Sequence, residues 1–381
     1  MKKLFTLAAA GTLVAASINA QAQVVLDGVI NATEIGAGKY VSLGRYTAPH
    51  PAGFGDWGLL QMYGANTGTK LHLALAGTME RSGNGFAFYI DLPNATGVPV
   101  GTALPPIVSA IPANDNTFTR GGARLDLQAD IAFNLKGDAA GQIPQLANYS
   151  SATVGTSVNL TVTAPAAGTA VAFPAAATVG TFSKFAGGRV AYKDSPDGKV
   201  LTNPGNANGG GVGSLALELE LDRTALGLPS GASIVRVFGA YISASGFWSS
   251  DVIPEVLTGT TPNSSNFAFD PDFTQEAGTQ AATFNVVLGT KQADEASVAM
   301  SVFPNPSNSQ ATVTYRVLNG AEYVNVVLTD LMGRTVRTLQ DGKQAAGFQN
   351  IGLNSSTIAA GTYMVRVQVG DKVATRKVVL L

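Results

Sequence analysis

Apolar side chains recur at every second position along this chain, and nowhere in a long run at the helical spacing of three and four. That period is the strongest constraint on the fold, because a side-chain period of two belongs to a β-strand and 3.6 to a helix. Leu71, Leu73 and Leu75 alternate with Lys70, His72 and Ala74. From Arg124 to Lys136, Leu125, Leu127, Ala129, Ile131, Phe133 and Leu135 fall on one side, with Asp126, Gln128, Asp130 and Asn134 on the other. Leu215 to Asp222 alternates leucine with Ala216, Glu218, Glu220 and Asp222, and Phe86–Asp91 and Ser233–Ile242 read as two more strands. Half-apolar strands of this kind predict antiparallel sheets with one face in water. Asp222-Arg223-Thr224-Ala225-Leu226-Gly227 is the one short helix candidate, with Asp222 as cap and Gly227 as stop.

Between roughly 138 and 182 the sequence thins to Ala, Thr, Gly, Val and Pro, an excursion of part loop and part edge strand. Asn203 to Gly213 is a second Gly/Asn loop. Beyond residue 297 the strands become shorter and β-branched. Val298–Phe303 stops at Pro304-Asn305-Pro306, where two prolines remove donors. Thr312–Val317, Val324–Thr329, Thr335–Leu339, Gly361–Val369 and Lys372–Leu381 follow, separated by Asp330–Arg334, Asp341-Gly342 and Gly370-Asp371. The expected fold is all-β: a large antiparallel, jelly-roll-like β-sandwich followed by a small immunoglobulin-like β-sandwich.

Charge divides the chain at the same place. Residues 23–290 carry 13 Lys/Arg against 19 Asp/Glu, a net of −6, and residues 291–381 carry 9 against 6, a net of +3. Lys2 and Lys3, the uncharged Leu4–Ala16 and Ala20-Gln21-Ala22 form a cleavable export signal. The apolar stretch is too short for the roughly 20 residues that span a bilayer. The expected parts are a signal peptide (1–22), a β-sandwich body (23–289), a polar linker (290–297) and a C-terminal domain (298–381). With no Cys and two His in 381 residues, disulfides, thiolate metal sites and cysteine nucleophiles are out, and a multi-histidine zinc site is disfavoured. The net charge of -1 gives no case for nucleic acid.

The order Phe303-Pro304-Asn305-Pro306, Asp330-Leu331-Met332-Gly333-Arg334, Ala360-Gly361-Thr362-Tyr363 and Lys377-Val378-Val379-Leu380 resembles the C-terminal sorting domain of the type IX secretion system of Bacteroidetes. The resemblance covers 297–381 and assigns its sorting motif to Pro304, Asn305, Pro306, Asp330, Gly333, Arg334, Gly361, Tyr363 and Lys377. It implies passage through the Sec translocon and then the type IX translocon, removal of the tail, and release or attachment to surface lipopolysaccharide. One departure is the ending Val379-Leu380-Leu381, where many members place a lysine. The linker is the expected clipping site.

The body resembles, in pattern, the jelly-roll of family-nine carbohydrate-binding modules and DOMON-type domains, on Leu26–Ile30, Phe86–Asp91 and Asp222–Gly231. Members bind sugars, or haem through Met and His. Here the histidines are His50, in a loop beside Pro49 and Pro51, and His72, on a strand, with no marked Met partner. Sugar stacking on an aromatic face beside a carboxylate points to Phe54, Asp56 and Trp57, and to Trp248 and Asp251, as a ligand site. The same two tryptophans could instead plug the core. Asp270-Pro271-Asp272 offers hard oxygen ligands for calcium, without the Gly and terminal Glu of an EF-hand. Asp126/Asp130 and Glu218/Glu220 read as pairs on wet faces. No other cofactor is implied. The function expected is an exported protein with a non-catalytic, polysaccharide-binding body. The alternatives are a structural surface protein and a polysaccharide hydrolase using Asp56 or Asp251.

Overall fold

The computed structural model describes residues 24–286 and 298–381, except 37–38, 52–53, 68, 82, 108–116, 140, 164–166, 229–232, 318–319, 331–332 and 371. The signal peptide 1–22 and the linker 290–297 lie outside the described residues.

The body is two facing antiparallel sheets. The first runs in the order β1 (Val41–Arg45), β2 (Gly58–Thr67), β3 (Lys70–Thr78), β10 (Ala216–Asp222), β9 (Arg189–Tyr192) and β8 (Val171–Ala172). The second runs β12 (Trp248–Ile253), β11 (Ser233–Ile242), β4 (Gly85–Asp91), β5 (Ile131–Lys136), β6 (Ile143–Ser151) and β7 (Val154–Asn159). β15 (Ala282–Val286) pairs with the first half of β11 and β12 with its second half, and β13 (Leu257–Thr258) and β14 (Thr261–Pro262) form a minimal hairpin. Between the sheets lie Leu71, Leu73, Leu75, Leu217, Leu219 and Leu221 from the first, and Phe86, Phe88, Ile131, Phe133, Leu135 and Val237 from the second.

The expected wet faces are not wet. The outer face of the second sheet, with Ala87, Tyr89, Ala132, Ala147 and Phe238, is covered by Val98, Leu104, Phe118, Leu125, Leu127 and Phe273. The outer face of the first, with Ala74, Ala76 and Ala216, is covered by Val24, Ile30, Tyr40 and Val200. His72, expected to point into solvent, is 2% exposed, and Asp130, Glu218 and Glu220 are buried with it. The alanines on these outer faces, Ala74, Ala76 and Ala216 on one and Ala87, Ala132 and Ala147 on the other, leave room for a covering segment. The long alternation from Arg124 is also divided. Only Ile131–Lys136 is strand. Leu125 and Leu127 pack outside the sheet, whereas Ile131 and Phe133 pack between the sheets. Asp130 sits at the crossing, where Leu92 N–H donates to its Oδ2 at 2.7 Å and Gln128 Nε2 to its Oδ1 at 2.8 Å. The helix candidate at Asp222 closes only a turn. Its side chain accepts from Thr224 N–H (2.8 Å) and Ala225 N–H (3.1 Å), and Gly227 ends it at φ 69°.

The covering segments are tied down by the buried acids. Asp27 and Gly28 N–H donate to Glu218 Oε2 at 3.0 and 2.7 Å, and Tyr40 O–H to Oε1 at 2.8 Å. Arg189 makes a two-pronged pair with Glu220, both contacts at 2.8 Å. Burial pushes the Glu218 carboxyl up to about 8, against the pull of these donors. An acid raised in the folded state binds more protons there than in the unfolded chain, so stability falls as pH rises towards that value. Burial pushes Asp130 up to about 6, with the same sign, and His72 down to about 4, with the opposite sign. Above pH 6.5 what remains of these two contributions is small and opposite in sign, which leaves Glu218 dominant. The unfolding free energy should drop by about 1.5 kcal/mol from pH 6.5 to 8. Urea midpoints at the two pH values should show the drop in the natural chain and a flatter response in Glu218→Gln. An equal slope in both would remove Glu218 as the cause.

The C-terminal part has its own core. A three-stranded sheet, β16 (Ser301–Phe303), β17 (Gln310–Val317) and β20 (Gly347–Asn354), faces a four-stranded one, β19 (Thr335–Gln344), β18 (Glu322–Thr329), β21 (Gly361–Val369) and β22 (Lys372–Leu380). Val313, Tyr315, Val326, Leu328, Val365, Val367 and Val378 fill the space between them. The whole described chain is thus all-β, as its period of two predicts.

Candidate functional site

Register gathers several body loops at one end. β2 begins at Gly58, opposite Thr78 at the end of β3, and β4 begins at Gly85, opposite Ile242 at the end of β11. The short β3–β4 connection joins the two sheets there. Loops 46–57 and 243–247 therefore share that end, and a bridge between Trp248 and Ala268 brings residues 267–270 to it.

These loops carry a row of aromatic rings that runs from buried to exposed. Phe54 is buried, edge-on to Tyr241 at 5.0 Å and stacked on Phe247 at 6.4 Å. Phe247 meets Phe269 edge to face at 5.2 Å, and Phe269 is 44% exposed. The Arg120 guanidinium lies 4.1 Å from the Phe269 ring centre, a cation–π contact, and donates to both oxygens of Asp270 at 3.0 and 2.9 Å. The two residues flanking Phe269, Ala268 and Asp270, hold φ of 59° and 55°. Left-handed backbone at non-glycine residues costs on the order of 1–3 kcal/mol and persists where surrounding structure imposes it, often at functional sites. Two glycines permit the arrangement. A Cβ on Gly122 would lie 2.3 Å from Asp270 Oδ1, and one on Gly246 would lie 2.8 Å from Arg120 Cβ.

The sequence-predicted residues separate. Phe54 joins the aromatic row, and Trp57 packs half-buried against the core between the sheets. Trp248 does not share their face. It is 4% exposed on the outer side of the second sheet, stacked on Tyr89 at 5.6 Å and near Phe273 at 5.5 Å. No sugar ring can reach it without opening that core. Asp56 is accessible and pairs with Lys199 at 3.0 Å. Asp251 is fully buried. It accepts from His50 Nδ1–H at 2.6 Å and from Leu59 N–H at 3.0 Å, and burial raises its carboxyl pKa. His50 thus has a close companion after all, 201 positions away in sequence, which no local pattern could show. Tyr46 stacks on the imidazole at 5.5 Å and its hydroxyl meets Ser250 Oγ at 2.6 Å. The arrangement joins a loop, β2 and β12 across the two sheets, and Asp251 has no route to a polymer. The calcium reading also changes. Asp270 is held by Arg120, and Asp272 Oδ1 accepts from Thr274 N–H and Oγ1–H at 3.2 and 2.6 Å. Among the described residues no three His, Asp or Glu converge as a metal site. A recess bounded by Tyr89, Phe118, Arg120, Tyr149 and Trp248 has a volume of about 10 Å³, room for about one water. This recess is too small for a sugar ring. Phe247, Phe269 and Arg120 were missed as partners because three separate loops supply them.

In the C-terminal part Asn305 and Lys377 of the predicted motif meet at the last strand, and Gly361 and Tyr363 pair with it from β21, while Asp330, Gly333 and Arg334 form a separate turn. Asn305 Nδ2 donates to Lys377 O at 2.8 Å, and Val379 N–H donates to Asn305 Oδ1 at 2.9 Å. Ser307 N–H donates to Val379 O and Leu381 N–H to Ser307 O, both at 2.9 Å. The two flanking prolines, Pro304 and Pro306, keep that segment out of a regular ladder, so the Asn305 side chain makes the pairing instead. Asp330 accepts from Arg334 N–H and Nε at 3.0 and 2.7 Å across a turn with Gly333 at φ 83°. Tyr363 O–H donates to Ala359 O at 2.8 Å, beside Gly361.

The terminal sandwich thus has its own core and closes on its own last strand. Residues 301–381 match the family described as the secretion system C-terminal sorting domain, and this part of the chain belongs to it. No curated protein matches the chain. Among solved structures, dimeric latent PorU from Porphyromonas gingivalis is 12% identical, over 86% of this chain and 32% of its own, with a TM-score of 0.19. The BSP domain of a biofilm-associated protein is 9% identical, over 93% of this chain and 54% of its own, with a TM-score of 0.19. The chain spans about a third of the first and about half of the second, and likeness at this level carries no argument. The sorting tail supports export by type IX secretion to the cell surface or the extracellular space.

Proposed function

We propose that the chain crosses the inner membrane through the Sec translocon on residues 1–22 and the outer membrane on its sorting tail. The tail is then clipped within 290–297, and the body is released or attached to surface lipopolysaccharide. Mass spectrometry of exported material should find a C-terminus inside that linker. Recovery of an intact Leu381 end would exclude clipping.

Outside the cell the body binds a polysaccharide through the surface of Phe269, Phe247, Arg120 and Asp270. The carrying observation is the exposed Phe269 ring, fixed by an arginine and by two strained neighbours. A rigid aromatic beside paired polar groups suits a sugar, which offers apolar ring faces and hydroxyls. The full chain without its signal peptide should be retained on at least one glycan of a broad array. Phe269→Ala should weaken that retention about tenfold, which is about 1.4 kcal/mol. Failure to bind any glycan, or unchanged binding in the variant, would overturn the reading. The hydrolase alternative loses Asp251, which is buried against His50.

A further inference from the structure

The segments that carry Arg120 and Asp270 are pinned on both sides of that pair. Trp248 N–H donates to Ala268 O at 2.7 Å, Arg124 N–H to Pro271 O at 2.8 Å and Phe273 N–H to Arg124 O at 2.9 Å. Trp248 and Phe273 are buried on the outer side of the second sheet, so these bonds anchor the segments to its core. Between the anchors Asp270 holds φ of 55°, a conformation that Asp and Asn adopt more readily than most side chains. Gly122 clears the space for the carboxylate, since a Cβ there would stand 2.3 Å from Asp270 Oδ1 and 2.6 Å from its Cγ. Backbone, glycine and residue type all place this carboxylate against this guanidinium.

The pair uses the groups that would recognise an acidic sugar. Arginine grips carboxylate and sulfate through two parallel N–H donors. In Arg120 that fork is Nε and Nη2, and both donate to Asp270. The charge on the rest of the guanidinium is balanced by the same carboxylate. A sugar carboxylate would have to displace one that is already tethered, at an effective concentration of about millimolar even on a flexible linker. It would also meet the like charge of Asp270. The neighbouring cation is engaged as well. Arg124 Nη1 donates to Gly101 O at 2.9 Å, and its Nε lies 3.8 Å from Asp272 Oδ2. Hydroxyls meet a different surface. A carboxylate offers about four lone-pair sites, and the fork takes two of them. Asp270, with its side chain 45% exposed, can still accept from a sugar hydroxyl.

We propose that Asp270 sets the specificity of this surface: by holding the Arg120 fork it restricts the body to neutral polysaccharides and excludes those that carry uronate or sulfate groups. The inference rests on the polysaccharide reading of the Phe269 surface and names its ligand class. Arg120 is then an anion-binding group that the natural chain keeps occupied.

The full chain without its signal peptide and its Asp270→Asn variant should be compared on β-glucan and mannan, on polygalacturonate and on a sulfated galactan. The natural chain should be retained on a neutral member and not on the anionic ones, with little change as salt is raised. Asp270→Asn keeps the shape and suits the left-handed backbone, but no longer neutralises Arg120. The ratio of anionic to neutral retention should rise about tenfold or more, and the gained binding should weaken with salt. Adding Arg120→Gln should remove the gain. A merely structural loss would lower both series together, and an unchanged ratio would overturn the proposal. A natural chain that binds anionic polysaccharides as well as neutral ones would overturn it too, while leaving the Phe269 reading in place. Retention of neither chain on any polysaccharide would overturn that reading and the proposal with it.

Discussion

Deleting residues 372–381 should stop export of the body as completely as deleting the whole of 301–381. The last strand is a working part of the sorting domain's core. Ala374, Val378 and Leu380 are buried in it, and β22 pairs with β21 along nine residues from Gly361↔Leu380 to Val369↔Lys372. Each buried Val or Leu contributes about 1.5–3 kcal/mol. A domain of this size has a net stability of only about 5–10 kcal/mol, so losing the strand unfolds it. The deletion also leaves Asn305 without Lys377 O and Val379 N–H, and opens β21 as a new edge. Immunoblots of medium, surface and periplasm should find the body retained in the periplasm in both deletions. Normal amounts of the shorter deletion outside the cell would show that the translocon needs no folded tail.

Asp251→Ala should cost the body about 3–5 kcal/mol. Removing one member of a buried pair leaves its partner without compensation. Here the orphans are His50 Nδ1, whose side chain is 14% exposed, and Leu59 N–H at the start of β2. The carboxylate also cannot be replaced by a rearranged neighbour, because Gly58 packs directly on it. A Cβ there would stand 2.1 Å from Asp251 Oδ2 and 2.2 Å from His50 Nδ1. Both tryptophans, Trp57 and Trp248, belong to the body, so their fluorescence in a urea titration reads its unfolding separately from the tail. Asp251→Asn keeps one acceptor oxygen and should lose less. A loss below about 1 kcal/mol in Asp251→Ala would mean that the pair adds no net stability.

The division between what was legible and what was not follows the range of each interaction. The period of two is a local property, so the strands and the all-β class could be read from residues such as Leu71, Leu73 and Leu75. The sorting tail was legible because its motif segments keep their order in sequence. What could not be read was which faces water touched. Glu218 in β10 and Asp130 just before β5 look like surface carboxylates in their local sequence, and segments far away in the chain help bury them. The small residues opposite them, Ala74, Ala87 and Ala132, were the available signal, since an exposed face seldom needs to be small.

The ligand residues divide in the same way. Sequence alone determined the period, the placement of charge and the export tail. Tertiary structure decided that Trp248 is core, that Asp251 belongs to His50, and that Phe269 rather than a tryptophan faces outward. Those outcomes depend on which loops and strands meet in space. Contacts across 200 positions leave no periodic trace in the chain, because each side of the contact satisfies only its own local rules.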